Sequence, residues 1–179
     1  MKKRKNKKEE NIFLIPLRYI LLLCFMFSLP LIYKIFLPLT IYPVFGLLKL
    51  IFNQVNVIHD VLIINLDKFI QIIPACIAGS AYLLLLILNL SVQMPLKKRF
   101  YSIIFSFLFL LVLNIIRIFF LAILYYYDVA LFDFTHKLFW YILSTVFVII
   151  IWFLTAKIFA IKKIPVYSDI KFLIKSIKY

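Results

Sequence analysis

A chain of 179 residues in which 66% are hydrophobic and only 16% are charged is too apolar to be a soluble globular protein, since ordinary domains carry roughly half apolar and about a quarter charged residues. Its net charge of +14 arises from Lys and Arg that cluster at the ends of long apolar runs, which argues against nucleic-acid binding. Each run has about 17 residues or more, enough to cross a hydrocarbon core of about 30 Å. We therefore expect an integral membrane protein with one small helical bundle.

The charged residues predict how the chain is oriented in the membrane. Lys and Arg are concentrated in residues 2–8, 97–99 and 157–178. The alternate connections carry the acidic residues Asp60, Asp67, Asp128 and Asp133. Because Lys and Arg beside membrane spans are retained in the cytoplasm, the pattern predicts a multi-pass protein of the cytoplasmic membrane with both termini cytoplasmic. Attraction to anionic lipid of the bilayer accounts for the basic excess.

The N-terminal part is predicted to hold a basic arm and one membrane span. Residues 1–11 form the cytoplasmic arm. Residues 12–37 form the first span, which lacks an A-x-A cleavage site and is expected to be an uncleaved anchor. Residues 38–54 are apolar but interrupted by Pro38 and Pro43. A full span there would reverse the later topology, so we predict a re-entrant or interfacial segment on the outer side.

The rest of the chain is predicted to form an outer hairpin and three further spans. Residues 55–75 are rich in Val and Ile and are divided by the turn Leu66-Asp67-Lys68, which favours a small β-hairpin or extended pair. The spans cover residues 78–92, 100–127 and 136–161. The predicted fold class is therefore an all-α polytopic membrane protein with about four transmembrane helices.

These elements predict a single domain. Residues 12–161 form one membrane-embedded catalytic domain, between the arm and a basic cytoplasmic tail at residues 162–179. A chain of this length has no room for a separate soluble domain.

Three reactive side chains are predicted to lie at one depth. Arg117 is the only charge in the apolar run 100–127, and a charge inside a membrane helix costs at least a few kcal/mol and usually has a function. Cys76 and His136 lie at the ends of the neighbouring runs. At a rise of 1.5 Å per residue, all three lie roughly 26–31 Å above the basic clusters. Cys24 is expected in mid-membrane, too far away for a disulfide, which leaves Cys76 as a free thiol.

Together these side chains supply a nucleophile, a proton carrier and a cation for a thiolate or oxyanion. Cys76 follows Pro74 at the start of a helix, where the helix dipole is expected to lower the pKa of the thiol. Each residue also has a structural explanation: a buried small cysteine, an interfacial histidine and a snorkelling arginine. Asn114 shares the helix face of Arg117, which allows a purely structural polar cluster. Nothing in the sequence calls for a metal or cofactor.

Three stretches of the sequence are similar to one known family. Cys76 in IIPACIAGSAYLLLLILNL, Arg117 in LNIIRIFF and His136 in THKLFWYIL resemble the exosortase/archaeosortase family of multi-span cysteine transpeptidases. The resemblance covers roughly residues 55–152. It implies that Cys76 is the nucleophile and that Arg117 and His136 are its catalytic partners. The chain departs from the family in having CIAG from Cys76 onwards, where members commonly have CSG or CTG.

The resemblance also implies substrates and partners. These are surface proteins with a C-terminal motif, a transmembrane helix and a basic tail, cleaved at the outer membrane face through a thioester that an amine or water resolves. The lipid bilayer is the other expected partner. The main alternative is a non-enzymatic scaffold or assembly factor in which Arg117 pairs with Asn114 or a loop acid. A second alternative is a peptidase that transfers only to water. His59 is a weaker alternative base than His136.

Overall fold

The computed structural model describes Ile20, residues 25–92 and residues 94–161, with only the backbone of Phe25, Met26 and Trp140. The predicted N-terminal arm and C-terminal tail, the start of the predicted first span and Cys24 lie outside the described residues. The helices in chain order are α1 (Leu29–Lys49), α2 (Pro74–Ile77), α3 (Gly79–Ser91), α4 (Leu96–Tyr126), α5 (Phe132–Leu138) and α6 (Ser144–Ile158). A short 3-10 turn, Phe25–Ser28, precedes α1, and a π-helical turn, Phe139–Leu143, joins α5 to α6.

Within the described part of the chain, three helices are long and apolar enough to cross a membrane, as expected of a membrane protein. They are α1 with 21 residues, α4 with 31 residues, and the continuous helix Phe132–Ile158 with 27 residues, which includes α5 and α6. The last two confirm the long helices predicted at residues 100–127 and 136–161. Continuous helix is expected here because hydrocarbon offers no partner to an unpaired backbone group.

The helix at the predicted span 78–92 is shorter than the other three. Helix α3 has 13 residues, which makes it about 20 Å long, less than the thickness of the hydrocarbon core. It packs against α1, α4 and α6, and therefore lies inside the bundle. The total of four spans remains a prediction.

The prediction of a separate re-entrant or interfacial segment at residues 38–54 is wrong, and so is the end of the first span at residue 37. Helix α1 continues without a break to Lys49, with Pro38 and Pro43 in its interior. Each proline removes a helical hydrogen bond. Membrane helices nevertheless tolerate proline, because neighbouring helices and side chains supply partners for the backbone groups that it frees.

A three-stranded antiparallel sheet lies between α1 and α2. Its strands β1 (Val55–Ile58), β2 (Val61–Ile64) and β3 (Lys68–Gln71) are arranged in sequence order. The predicted hairpin is confirmed as β2 and β3, and β1 is a strand that the prediction missed. Leu62 and Ile64 of β2 are fully buried, so the sheet covers one end of the helical bundle.

The sheet and the basic residues lie at opposite ends of the bundle. At the sheet end, Asn65 Nδ2 donates to the Tyr126 hydroxyl at 2.8 Å, and the ammonium of Lys68 pairs with Asp128. At the other end, which we call the basic end, Lys98 Nζ donates to the carbonyl of Ala160. Helix α4 therefore runs from the basic end to the sheet end.

A buried polar cluster joins three helices towards the basic end. Asn89 Oδ1 accepts a hydrogen bond from Ser102 Oγ, and Asn89 Nδ2 donates to the carbonyl of Leu85 at 2.8 Å. The hydroxyls of Ser106 and Thr155 are 3.0 Å apart. Since polar groups in hydrocarbon must find partners within the protein, these bonds hold α3, α4 and α6 together.

The two glycines of the chain are expected to respond in opposite ways to alanine. A methyl group at Gly46 would meet no atom within 4 Å, whereas at Gly79 it would lie 2.7 Å from Tyr33 Cζ and closer still to Cε1. We expect Gly46→Ala to raise the free energy of unfolding by about 0.5–1 kcal/mol, because alanine is preferred inside helices. Gly79→Ala should lower it by about 1–3 kcal/mol, because the Tyr33 ring must move. Unfolding of the purified protein in detergent measures both effects. In a Tyr33→Ala background the loss caused by Gly79→Ala should disappear; equal stability of the two single variants would contradict this packing.

Candidate active site

The three residues singled out in the sequence line one cavity at the sheet end. The cavity has a volume of about 270 Å³ and lies between β3, α4 and α5. Cys76, Arg117 and His136 all contribute to its wall. A larger cavity of about 470 Å³ on the other side of α2 is lined by Tyr33, Gly79 and other residues, but by none of these three. The smaller cavity is therefore the candidate active site.

Cys76 lies in the single helical turn α2 and is a free, partly buried thiol. Its N–H donates to the carbonyl of Ile73 at 2.8 Å, and is therefore already engaged. Ala78 adopts the left-handed conformation, with φ of 58°, and ends α2 before α3 begins at Gly79. A non-glycine residue rarely adopts this conformation, which is typical of constrained sites. The break separates Cys76 from the longer helix that follows.

The expectation that a helix dipole lowers the pKa of Cys76 is wrong. Burial raises the pKa of the Cys76 thiol, while the nearby charge of Arg117 acts in the opposite direction. A single turn such as α2 has only a small dipole, since the dipole is a sum over aligned peptide units. Removal of the thiolate from water is the larger effect.

Arg117 is buried in α4, with 5% of its surface exposed. Its Nη1 donates to Ser144 Oγ at 3.1 Å, and Ser144 Oγ donates in turn to the carbonyl of Phe139 at 2.7 Å. Its Nε is buried and has no hydrogen-bond partner among the described residues. No carboxylate in that part of the chain forms an ion pair with it. The scaffold alternative predicted Asn114 or a loop acid as the partner of Arg117. That partner is wrong, because the guanidinium donates to Ser144 instead.

Two further residues hold this arrangement together. Asn114 Nδ2 donates to the carbonyl of Cys76 at 2.9 Å, which fixes α2 against α4. Ser144 is the first residue of α6, directly after the π-helical turn. The position of Asn114 on the face of Arg117 indicated its involvement. No pattern in the sequence indicates a role for Ser144, because a π-helical turn has no sequence signature comparable to hydrophobic periodicity or a charge cluster.

His136 lies in α5, on the side of the cavity formed by that helix. Its ring is partly buried and stacks on the ring of Phe132, with centroids 5.6 Å apart and an angle of 20°. His59 lies in the turn between β1 and β2 and does not line the cavity. The arrangement therefore favours His136 over His59 as the residue available to the cavity.

Two of the loop acids, Asp60 and Asp128, contact side chains of strand β3. Asp60 accepts a hydrogen bond from Gln71 Nε2 at 3.0 Å, which lowers the pKa of Asp60. The hydrogen bond to Asp128 raises the pKa of Lys68. These contacts tie Gln71 of β3 to the turn between β1 and β2, and Lys68 to the residues that follow α4. Among the described residues, no group of three or more His, Cys, Asp or Glu is close enough to hold a metal ion.

No family model, no curated protein and no solved structure matches this chain. The resemblance to the exosortase/archaeosortase family thus stays a prediction from the three stretches quoted above. The candidate site stands on its own geometry.

The opposing effects of burial and Arg117 predict how the reactivity of Cys76 depends on pH. In a Cys24→Ala background, the rate of alkylation by iodoacetamide should rise with a midpoint above that of an ordinary thiol, because burial raises the pKa of Cys76. Arg117→Gln removes the charge that favours the thiolate, so the midpoint should move further up and the rate at pH 8 should fall several-fold. Arg117→Lys, which keeps a positive charge, is the matched control. A midpoint that is the same in all three proteins would contradict the coupling.

Ser144 is expected to hold Arg117 in place. Ser144→Ala should lower the free energy of unfolding by about 1–2 kcal/mol, because it leaves a buried guanidinium without an acceptor. It should also slow alkylation of Cys76 at pH 8, whereas Ser144→Thr, which keeps the hydroxyl, should retain the wild-type rate. Unfolding in detergent and the iodoacetamide rate are the two measurements. If both Ser144 variants react like wild type, the hydrogen bond does not position the charge.

Proposed function

We propose that this protein is a membrane-embedded cysteine protease/transpeptidase that cleaves C-terminal sorting signals of surface proteins at the extracytoplasmic face. The observation that carries the proposal is the single cavity lined by Cys76, Arg117 and His136. A thiol, an imidazole and a buried cation that no carboxylate of the described residues neutralises are the groups that acyl transfer through a thioester requires. The structural explanations of the three residues do not require them to meet, yet α2, α4 and α5 bring all three to one cavity.

The reaction begins when the sulfur of Cys76 attacks the scissile carbonyl. The thiol proton passes to the imidazole of His136, and Arg117 stabilises the negative charge on the carbonyl oxygen. The C–N bond then breaks, His136 gives its proton to the leaving amine, and a thioester remains on Cys76. An amine acceptor or water then attacks the thioester and loses a proton to His136. The C–S bond breaks, and His136 passes this proton to the departing sulfur, which restores the thiol of Cys76.

The raised pKa of Cys76 favours one version of the first step. A thiol buried in this way is mostly protonated at neutral pH, so a stable pair of thiolate and imidazolium is not expected. His136 then acts as a general base that removes the proton as the carbonyl arrives. Arg117 contributes most when negative charge develops, because its charge counts for more in a poorly hydrated site than in water.

The proposed orientation puts the sheet end outside the cell and the basic end in the cytoplasm. Lys97, Lys98 and Arg99 lie at the basic end, in accord with the retention of positive charge inside. A substrate helix beside the bundle would then carry its own basic tail on the same side. Its motif would leave the membrane at the level of Cys76.

The non-enzymatic scaffold is the second candidate function. Two contacts favour it: the hydrogen bonds from Arg117 to Ser144 and from Asn114 to the carbonyl of Cys76 both join elements of the bundle. In that case Cys76 itself would be dispensable, since its carbonyl rather than its thiol makes the contact.

Replacement of the nucleophile separates the two functions. We expect Cys76→Ala to reduce cleavage by more than about 10³-fold, as loss of a nucleophile does in other acyl-transfer enzymes. Quantitative membrane proteomics on the native host, at matched expression, should then show a few proteins with a C-terminal helix and basic tail accumulating uncleaved. Cys24→Ala, which removes the other cysteine, is the matched control and should have a normal proteome.

The products also separate transpeptidation from hydrolysis. Mass spectrometry of the processed C-termini should find an attached amine in the first case and a free carboxylate in the second. If no protein changes its C-terminus while the Cys76→Ala protein is inserted normally, the scaffold function is the correct one.

A further inference from the structure

Strand β3 has one edge that pairs with no other strand in the described part of the chain. It is the last strand of the sheet and pairs only with β2, in the register Ile64↔Lys68 and Leu62↔Ile70. In an antiparallel ladder, alternate residues direct their N–H and C=O groups to the same neighbour. The N–H of Ile72 donates to the carbonyl of Asp60 at 2.8 Å, which shows that the even-numbered residues of β3 face β2. The peptide groups of Phe69 and Gln71 therefore point away from the sheet.

This free edge borders the candidate active site. Five consecutive residues, Phe69 to Ile73, line the cavity that also contains Cys76 and Arg117. Side chains of a strand alternate between the two faces of a sheet, so a cavity on one face would be lined by every second residue only. Consecutive lining residues indicate that the cavity lies along the edge of the strand. The main chain then leads through Pro74 to Cys76.

In the part of the chain that the structure describes, the edge also lacks the features that usually protect an edge strand. Natural sheets cover such edges or place charged residues, proline or a bulge on them. In β3 the charge of Lys68 is engaged by Asp128, and Phe69, next to it, has 58% of its surface exposed. The other edge, on β1, differs in that β1 packs against α1. An unprotected edge beside a nucleophile is best explained by a strand that it receives.

We infer that β3 is the docking strand for the substrate, and that the segment around the scissile bond binds in extended form as a fourth strand on its free edge. This inference rests on the proposed function. Phe69 and Gln71 offer up to four main-chain hydrogen bonds, and pairing of this kind is a general mode of peptide recognition. Beyond them, the carbonyl of Ile73 is taken by the N–H of Cys76. The bound segment therefore reaches the level of the thiol where pairing with β3 ends.

The opposite wall of the cavity indicates what side chain the substrate carries. Helix α4 contributes Ile118, Leu121 and Ala122, and α5 contributes Phe132. These four side chains are apolar, and the same two helices also contribute Arg117, Tyr125 and His136 to the cavity wall. A volume of about 270 Å³ is slightly below the usual range for ligand pockets, from about 300 Å³. The site therefore takes a short stretch of extended peptide with one apolar side chain directed at α4.

A proline at position 69 tests the docking. The probe is the capped tetrapeptide acyloxymethyl ketone that alkylates Cys76 fastest in a positional-scanning pool, with release of a carboxylate, in a Cys24→Ala background. Phe69→Pro and Phe69→Ala both remove the ring, but only proline removes the outward N–H, and edge strands tolerate it. We expect kinact/KI for the probe to be about 3–10-fold lower in Phe69→Pro than in Phe69→Ala, the effect of one lost hydrogen bond. Iodoacetamide, which needs no docking strand, should react equally with both.

Two controls keep the result independent of folding. Val57→Pro removes an outward N–H from the edge on β1 and should leave the probe rate unchanged. Methylation of the backbone nitrogens of the probe leaves the protein intact and should slow labelling of the wild-type chain to a similar extent. Equal probe rates in the two Phe69 variants, with methylation also without effect, would overturn the docking but not the nucleophile.

Hydrogen exchange separates failure of the docking from failure of the chemistry. If no member of the pool labels Cys76, the proposed chemistry fails. The same tetrapeptides, made as unreactive carboxamides, are then added to the protein. Slower hydrogen exchange at the amides of Phe69 and Gln71 supports the docking, and unchanged exchange overturns the docking. The two amides could also be protected from exchange without any peptide, and that protection could grow with protein concentration. This result would mean that a second copy of the chain covers the edge, and it would also overturn the inference.

Discussion

Burial of the Arg117 guanidinium is the constraint on which the sheet end of this protein depends. A charge inside a helix that crosses hydrocarbon costs several kcal/mol unless protein groups surround it. Here the surrounding groups are Ser144 at the start of α6 and a cavity wall that brings α2 and α5 towards α4. A π-helical turn directly precedes Ser144, and such turns are frequent at functional sites. The absence of a carboxylate partner, among the described residues, leaves the positive charge directed at the cavity rather than neutralised.

The same charge sets the chemistry available to Cys76. Burial disfavours the thiolate, and Arg117 favours it, so the two effects oppose each other at one sulfur atom. The balance can change as a substrate enters, because further loss of water raises the strength of both effects. Asn114 holds the carbonyl of Cys76 and so keeps the thiol at a constant distance from α4. The reactivity of this thiol therefore depends on α4, which carries Arg117 and Asn114, and on α6, which holds Arg117 through Ser144, as well as on α2.

Features governed by constant helix geometry were predictable from the sequence, and those governed by distant contacts were not. The shared depth of Cys76, Arg117 and His136 follows from a rise that is the same in every helix, and one cavity does contain all three. The continuation of α1 through Pro38 and Pro43 was not predictable from topology, because the charge pattern fixes only the number of crossings and not the residue at which a helix ends. The break at Ala78 and the hydrogen bond of Ser144 depend on residues far away in the chain. The raised pKa of Cys76 depends on burial, which no local pattern reveals.

Under the proposed function, the sheet at the end of the helical bundle meets a requirement that a membrane-spanning substrate imposes. Backbone groups of a transmembrane helix are all paired internally, so a scissile bond within one is closed to a nucleophile. The helix must unwind where it leaves the hydrocarbon, and each residue that unwinds frees one N–H and one C=O. Under the proposed docking, the unpaired edge of β3 accepts those groups beside Cys76, and it replaces the hydrogen bonds lost from the helix. The extended conformation of the substrate would then be favoured, because a helical substrate has no free N–H or C=O groups to pair with the edge of β3. Recognition through the main chain leaves selectivity to the few apolar side chains of α4 and α5, and to the depth at which a substrate helix ends.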